Sequence, residues 1–446
     1  HLPSELNTDA NPWSVGKAML YGSGNDADRV LFLARLPVLI LFVTLAFLAA
    51  WAAWRMSGSA FAAVTAYALT AFCPNLIAHG RLATNDLELT FFLMAAALLL
   101  LEWSRTPSLR STAIASVAVA AALLMKISAL ILVPWLLIIL WPRRREWRLY
   151  AARACVLFLF VAVEMELFYA ALMRSFSLVA PFREFTATFA IVGSFVRQGF
   201  QKPQYLLGTF STTGWWYYYP VAFLLKTTIP ALVLILLAVA AAVFLRRPPG
   251  AMVLFIALFA AASIASSLAL GLRYVLPIYP FVYVSAACTI AKTAEKRREK
   301  NVWISAVLLL LVWHAGESVA TYPNYIGYFS ELIGSRDNAD LYLIDSNLDW
   351  GQDLKRLAHW VDDQHISSVN IDYFGGGDIH YYLGDRAVPL DGPDPRRHRP
   401  GYFAVSKHFY RASFFYRQYG LDYGQYFAGA TKVATINGSI DVWRIR

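Results

Sequence analysis

The chain has 446 residues, of which 58% are apolar or aromatic and only 15% charged. Soluble domains carry about 25% charged residues, so this composition is hard to reconcile with a water-facing shell around an ordinary core; disorder is excluded, and a wholly soluble enzyme nearly so. The formal charge of +10 sits mostly in short loops between apolar runs, a placement that argues for a multispan membrane protein and against a nucleic-acid partner.

About 17 to 25 apolar residues cross a bilayer as a helix. Nine stretches reach or approach that length: 31–54, 60–77, 87–103, 111–141, 149–173, 221–245, 252–270, 274–291 and 302–320. The fourth runs for 31 residues with Lys126 at its middle. Divided there into two short spans, it leaves the basic loops at Arg55, 105–110, 143–148, 246–247 and 292–300 on one side, where positive residues collect. Undivided, it sends Arg143, Arg144 and Arg145 to the opposite side. The divided form is adopted, giving about ten transmembrane helices within residues 30–320. The outer side then holds residues 1–29, the 79–86 loop, the turn at Lys126, a long aromatic loop over 174–220, Arg273, and everything after about Tyr322.

From Tyr322 onward polar residues alternate with short apolar runs, none long enough to span. LYLIDSN (341–347) reads as a strand, 353–364 as an amphipathic helix, and 367–374, 401–409 and 431–446 as further strands, the last turning at Asn437-Gly438. The expected fold class is an α-helical polytopic membrane protein with a C-terminal extracytoplasmic α/β domain over residues 321–446. Cys73, Cys155 and Cys288 lie far apart with no CxxC, which points to neither a disulfide framework nor a zinc site. The sequence has no GxxxxGK[ST] or GxGxxG for a soluble nucleotide.

Ionisable residues at membrane depth are costly and count as functional candidates by default. In HGRLATNDLE (79–88), His79, Arg81, Asp86 and Glu88 lead into a helix. Asn85 or Asp86 acting as a plain N-cap is an equally weighted reading. Lys126 at a helix junction calls for an anion or carbonyl partner, with snorkelling to the interface as the competing reading. Arg273, in LGLRYVLPIYP, presents a planar fork suited to phosphate, and as an interface anchor beside Tyr274 it would be unremarkable. Lys226 stands close enough to the outer surface that snorkelling is preferred. Glu164 and Glu166 point to opposite sides of their helix, one toward a site and the other toward the interface. The long loop sets Arg183, Arg197 and Lys202 among aromatics, suited to closing over an amphiphilic ligand. Together these residues fit transfer of a group from a phospholipid-like carrier, with a carboxylate as base or metal ligand and cations on the departing phosphate.

The runs CPNLIAHGRLATNDLELTFFLMAAALLLLEW, LLMKISALILVPW, GWWYYYPVAFLLKTTIP and GLRYVLPIYPFVYV resemble the GT-C superfamily of multispan glycosyltransferases, in the branch of the protein O-mannosyltransferases and the lipid A aminoarabinose transferase. YPNYIGYFSELIG and LIDSNLDWGQDLKRLAHWVDD look like the outer domain of members of that group. The resemblance implies a hexosyl- or pentosyltransferase that takes a sugar from a polyprenyl-phosphate carrier, usually with inversion, to a lipid, glycan or protein acceptor on the outer face of the plasma (inner) membrane. It implies that Asp86 is a second acidic position that binds metal or orients the acceptor, that Glu88 completes an Asp-x-Glu pattern, and that Lys126 and Arg273 approach the carrier phosphate. On both grounds Asp86 and Glu88 are the catalytic candidates, and Lys126, Arg273, Arg197 and Arg81 the donor-phosphate candidates. If a divalent metal is used, Asp86 and His79 are its candidate ligands. The family's principal carboxylate lies in the first outer loop, and none of Glu5, Asp9, Asp26 or Asp28 stands in that motif. Residues 1–29 are therefore expected to be the remnant of that loop in an N-terminally truncated sequence, with the principal carboxylate upstream.

Two other classes compete. A lipid or glycolipid flippase would use the same charged cavity without chemistry, but neither inverted repeats nor midplane charges are seen. A membrane-anchored binding protein would act through the tail, whose 15 acidic and 13 basic residues give no strong field. Asp345, Asp349 and Asp353, at spacing four, could bind a cation, though a loop and helix N-cap is the simpler reading.

Overall fold

The computed structural model describes residues 12–173, 186, 190, 203–246, 248, 250–266, 268–296, 298–390, 400–417, 420 and 422–446. Arg183, Arg197 and Lys202 lie outside the described residues. The helices are α1 (Pro12–Lys17), α2 (Ala27–Ser57), α3 (Ala60–Ala71), α4 (Pro74–Gly80), α5 (Asn85–Arg105), α6 (Leu109–Met125), α7 (Leu132–Leu140), α8 (Trp147–Met173), α9 (Tyr218–Lys226), α10 (Ile229–Phe244), α11 (Ala251–Ile264), α12 (Ile278–Ala294) and α13 (Lys300–Thr321).

Their ends follow local chemistry. The Asp26 side chain accepts from Arg29 N to cap α2, which closes at Gly58 in the left-handed region. Ser108 and Ser111 form a reciprocal capping box at the start of α6. Helix α12 packs against α2, α3, α10 and α11, and α6 lies between α5 and α8. Phe32, Ile40 and Phe47 on α2 and Leu159, Leu167 and Leu172 on α8 are exposed, an apolar outer surface that a lipid environment covers.

Among the described residues, four helical runs are long and apolar enough to cross a membrane, namely Ala27–Ser57, Asn85–Arg105, Ile127–Leu172 and Lys300–Thr321, and up to six if each bent pair counts as one span. Those pairs are α3 with α4, bent by 60°, and α9 with α10, bent by 119°. A count of ten needs shorter helices to cross as well. The 17 residues of α6 rise about 26 Å against a hydrocarbon core of about 30 Å. The 31-residue stretch does divide at Lys126: α6 stops at Met125, Lys126 is extended at φ −156° and ψ 145°, and a 3-10 turn, Ile127–Ile131, leads into α7. Leu130 to Leu136 and Leu157 to Leu167 line one cavity, so the chain doubles back between α7 and α8, at the turn Trp141–Glu146 that carries Arg143, Arg144 and Arg145.

Beyond α13 the polar texture folds as an α/β unit. Strands β1 (Gln204–Leu206) and β2 (Thr209–Ser211) form a hairpin before α9, whereas β3 (Val369–Asp372), β4 (Ala387–Pro389), β5 (Gly401–Ser406), β6 (Thr431–Ile436) and β7 (Ile440–Ile445) form a sheet of order β4-β3-β5-β7-β6. β3 runs parallel to β4 and β5, and β7 antiparallel to β5 and β6. Helix α14 (Leu354–Asp363) buries Leu354, Leu357, Ala358 and Val361 in the sheet's core. The β6–β7 turn has positive φ at Asn437 and Gly438, the two-residue geometry that Asn-Gly favours.

The 341–347 segment is not a strand. It carries short 3-10 turns at Arg336–Leu341 and Asp345–Asn347, because Ser346 and Asn347 spend their side chains on backbone groups of the helical part, Leu270 O and Leu272 N. Phe329, Ile333, Ala339, Leu343 and Leu348 pack in the helical core, and the sheet's core begins at Leu354. Lys226 does not snorkel. It is buried, and its Nζ donates to the carbonyls of Ile326 and Asn347.

Asp349, buried beside the first turn of α14, is pushed up to about 7, chiefly by burial, with Asp353 and Asp345 adding to the rise against a lowering bond from Gly351 N. Its folded pKa lies above the unfolded one, so the folded state holds the extra proton between about pH 4 and 7 and stability falls as pH rises through that window. Unfolding midpoints measured across it are expected to decline toward pH 7 and then level. Asp349→Asn is expected to flatten that part of the profile.

Candidate functional site

Three interruptions of the helical part converge on one carboxylate. Asp86 stands in the first turn of α5 with its side chain 1% exposed. Its Oδ1 accepts from Lys126 Nζ, which the extended break after α6 delivers. Its Oδ2 lies 3.8 Å from Arg273 Nη1 and 3.9 Å from His79 Nδ1, both beyond hydrogen-bond length. Arg273 sits in a 3-10 turn, Leu272–Val275, just before α12, and His79 in the last turn of α4.

The capping reading of Asn85 and Asp86 gives way to this geometry. Thr84 is the N-cap residue of α5 and makes no side-chain cap bond, while Asn85 Nδ2 donates to Met125 O at 2.9 Å and so fixes the start of α5 to the end of α6. Lys126 and Arg273 are each about one-fifth exposed, at 23% and 20%, so both cations run from the buried carboxylate to partial solvent exposure. Rings surround the cations. Tyr274 lies 5.3 Å from Lys126 Nζ and 5.0 Å from the Arg273 guanidinium, and Trp350 lies 4.5 Å from that guanidinium and edge-on to His79 at 5.9 Å.

The polar capacity of this cluster is not used up. Among the described residues, Asp86 Oδ2, His79 Nδ1, Arg273 Nε and Glu88 Oε2 have no hydrogen-bond partner. Buried polar atoms left in that state mark a place for water or a ligand oxygen. Glu88, half-buried two residues after Asp86, likewise keeps one oxygen uncommitted. Asp86 and His79 form no group of three or more His, Cys, Asp or Glu able to hold a metal among the described residues.

The other candidates fall elsewhere. Arg81 Nη1 donates to Pro323 O at 3.0 Å and its guanidinium lies over the Tyr325 ring. Arg197 lies outside the described residues. Glu164 accepts from Ser116 on α6 at 2.8 Å, and Glu166 lines an apolar cavity of about 580 Å³ between α5, α6, α7 and α8. Sequence reasoning did not find Trp350, which looked like part of a loop and cap, nor Asn347. Their signal was the polar-aromatic DSNLDWGQD run itself, whose partners sit some 75 residues upstream.

Residues 22–182 match the family model described as dolichyl-phosphate-mannose-protein mannosyltransferase. The match covers about a third of the chain and is a similarity over that segment. The segment includes His79, Arg81, Asp86, Glu88 and Lys126, and ends before Arg273 and Trp350. Among solved structures, the crystal structure of ArnT from Cupriavidus metallidurans bound to undecaprenyl phosphate is similar at 14% identity and a TM-score of 0.43, over 96% of this chain and 86% of that one. The same protein in its apo state gives 14% identity and a TM-score of 0.41 over the same shares. No curated protein matches the chain in sequence.

Removing one partner of a buried ion pair costs more than removing both, because the remaining charge is left uncompensated. Lys126→Met is therefore expected to destabilise the protein by about 3 kcal/mol, read as a lower thermal midpoint in detergent. Adding Asp86→Asn is expected to restore most of the loss. A double variant no better than the single one would show that the pair is not coupled.

Proposed function

We propose that the protein is a glycosyltransferase that moves a hexosyl or pentosyl group from a polyprenyl-phosphate carrier to a lipid, glycan or protein acceptor on the outer face of the plasma (inner) membrane. In this reading residues 30–320 form the transferase part, and residues 1–29 and 321–446 lie on the outer side. The observation that carries it is the Asp86–Lys126–Arg273 cluster. One buried carboxylate holds two partly exposed cations, and the Arg273 Nε remains without a partner. The match of residues 22–182 to a family that uses a polyprenyl-type phosphate sugar supports the same class.

The chemistry follows from these positions. An acceptor hydroxyl attacks the anomeric carbon and loses its proton to a carboxylate, while the bond from that carbon to the phosphate oxygen breaks and the carrier phosphate leaves with the extra negative charge. Lys126 and Arg273 meet that charge as it develops, the differential stabilisation that lowers a barrier. Asp86 Oδ1 is committed to Lys126, so its role is to hold the cations and orient the acceptor. Glu88, with Oε2 free, is the candidate proton acceptor.

The test uses the protein in liposomes with radiolabelled undecaprenyl-phosphate sugars and a membrane extract as acceptor source. Label is expected to pass from carrier to acceptor. Arg273→Ala and Lys126→Ala are each expected to lower kcat/KM by about 10²- to 10³-fold, and Glu88→Gln to lower kcat by about 10²-fold. Carrier binding without transfer across several sugars would move the assignment to a flippase or binding role. Wild-type turnover in all three variants would overturn the site.

A further inference from the structure

The turn that carries Arg273 is held from the tail. Leu272 N, one residue before Arg273, donates to Asn347 Oδ1 at 2.9 Å, and Ser346 Oγ donates to Leu270 O at 2.6 Å. Between them Gly271 adopts φ +139°, and a Cβ there would stand 2.2 Å from Ser346 Oγ, so only glycine admits this approach. Asn347 is itself fixed and buried. Its Nδ2 donates to the Tyr218 hydroxyl at 2.9 Å and its carbonyl accepts from Lys226. Three residues on, the Trp350 ring covers the Arg273 guanidinium from 4.5 Å and meets His79 edge-on.

We infer that Asn347 and Trp350 are positioning residues of the site: Asn347 fixes the backbone of the Arg273 turn and Trp350 fixes its guanidinium. A free arginine keeps full rotamer freedom. A guanidinium held between Tyr274 and Trp350 has given that up before an anionic group arrives, which is the meaning of preorganisation. The tail loop is therefore part of the active site. The role assigned to Arg273 in this inference rests on the proposed transfer from a lipid phosphate, but the hold on Arg273 is measurable with no ligand present.

The experiment uses the full chain in lipid nanodiscs. Phenylglyoxal modifies accessible arginine, and its rate at Arg273 is read by mass spectrometry of the peptide. Trp350→Leu is expected to raise that rate about fivefold, and Trp350→Phe, which keeps a ring over the guanidinium, to stay within about twofold of wild type. Asn347→Ala is expected to raise it as well, and the Trp350 variants carry the test if burial makes that variant fold poorly. In a second arm, binding of undecaprenyl phosphate is expected to weaken about tenfold in Trp350→Leu. In an Arg273→Ala background the same change is expected to add less than about twofold, because its effect runs through Arg273. Unchanged phenylglyoxal reactivity in Trp350→Leu, or losses that add fully in the double variant, would overturn the inference. Coupled reactivity in a wild type that binds no undecaprenyl phosphate would support the positioning roles while overturning the lipid-phosphate reading.

Discussion

A carboxylate with 1% of its side chain exposed to solvent must be compensated, since a lone buried charge costs several kcal/mol. Asp86 meets that demand with partners from three separate chain segments. Its partners come from the extended break at Lys126, the irregular turn at Arg273 and the end of α4 at His79. Each is a place where a helix stops. Broken helices at membrane depth are tolerated where their free backbone groups find partners within the protein or line a cavity. Here Asn85 supplies one by bonding Met125 O, and Asn347 supplies another by bonding Leu272 N. The ion cluster and the breaks thus belong together: the breaks present the cations to Asp86, and Asp86 supplies the counter-charge for both.

A second buried charge joins the tail to the same place. Lys226 ends α9 at the 119° bend, with its ammonium on the carbonyls of Ile326 and Asn347 and over the Phe329 ring. Its own carbonyl accepts from Asn75, next to the N-terminus of α4. Hydrogen bonds to a charged group are stronger than neutral ones, and here they lock residues 326–347 against the helices. The segment between α13 and the sheet is therefore packed into the helical core, and Trp350 reaches the site because Asn347 is pinned three residues before it.

Hydropathy and loop charge made the helical class and the break at Lys126 legible, because an ammonium inside an apolar run has few stable explanations. The tail's α14, β3, β5 and the Asn437-Gly438 hairpin were legible from periodicity and turn chemistry for the same reason: each is decided by residues close in sequence. The errors share the opposite cause. LYLIDSN alternates like a strand, yet Ser346 and Asn347 are claimed by partners about 75 residues upstream. Lys226 looked free to reach the interface because nothing nearby in sequence shows the carbonyls of Ile326 and Asn347 waiting for it. The candidate site divides in the same way. Asp86, Lys126 and Arg273 stood out as charges out of place, whereas Trp350 and Asn347 are ordinary residues in a loop of the tail and gain their place only through tertiary contact.

The balance of fixed charge in this cluster bears on the kind of work it can do. A transporter needs a cargo site whose grip loosens as the protein changes shape, so its charges are best carried by elements that move apart. The cations here are held otherwise. Lys126 is bound to a buried carboxylate, and the backbone of the Arg273 turn is bonded to a residue that is itself tied to α9 through Tyr218 and Lys226. Charges fixed in advance gain most where charge appears in place during a reaction, because no reorganisation is then needed at the moment it forms. A site with two immobilised cations, one of them with an unsatisfied Nε, and a neighbouring carboxylate with an open oxygen is better matched to a leaving phosphate than to a passing one.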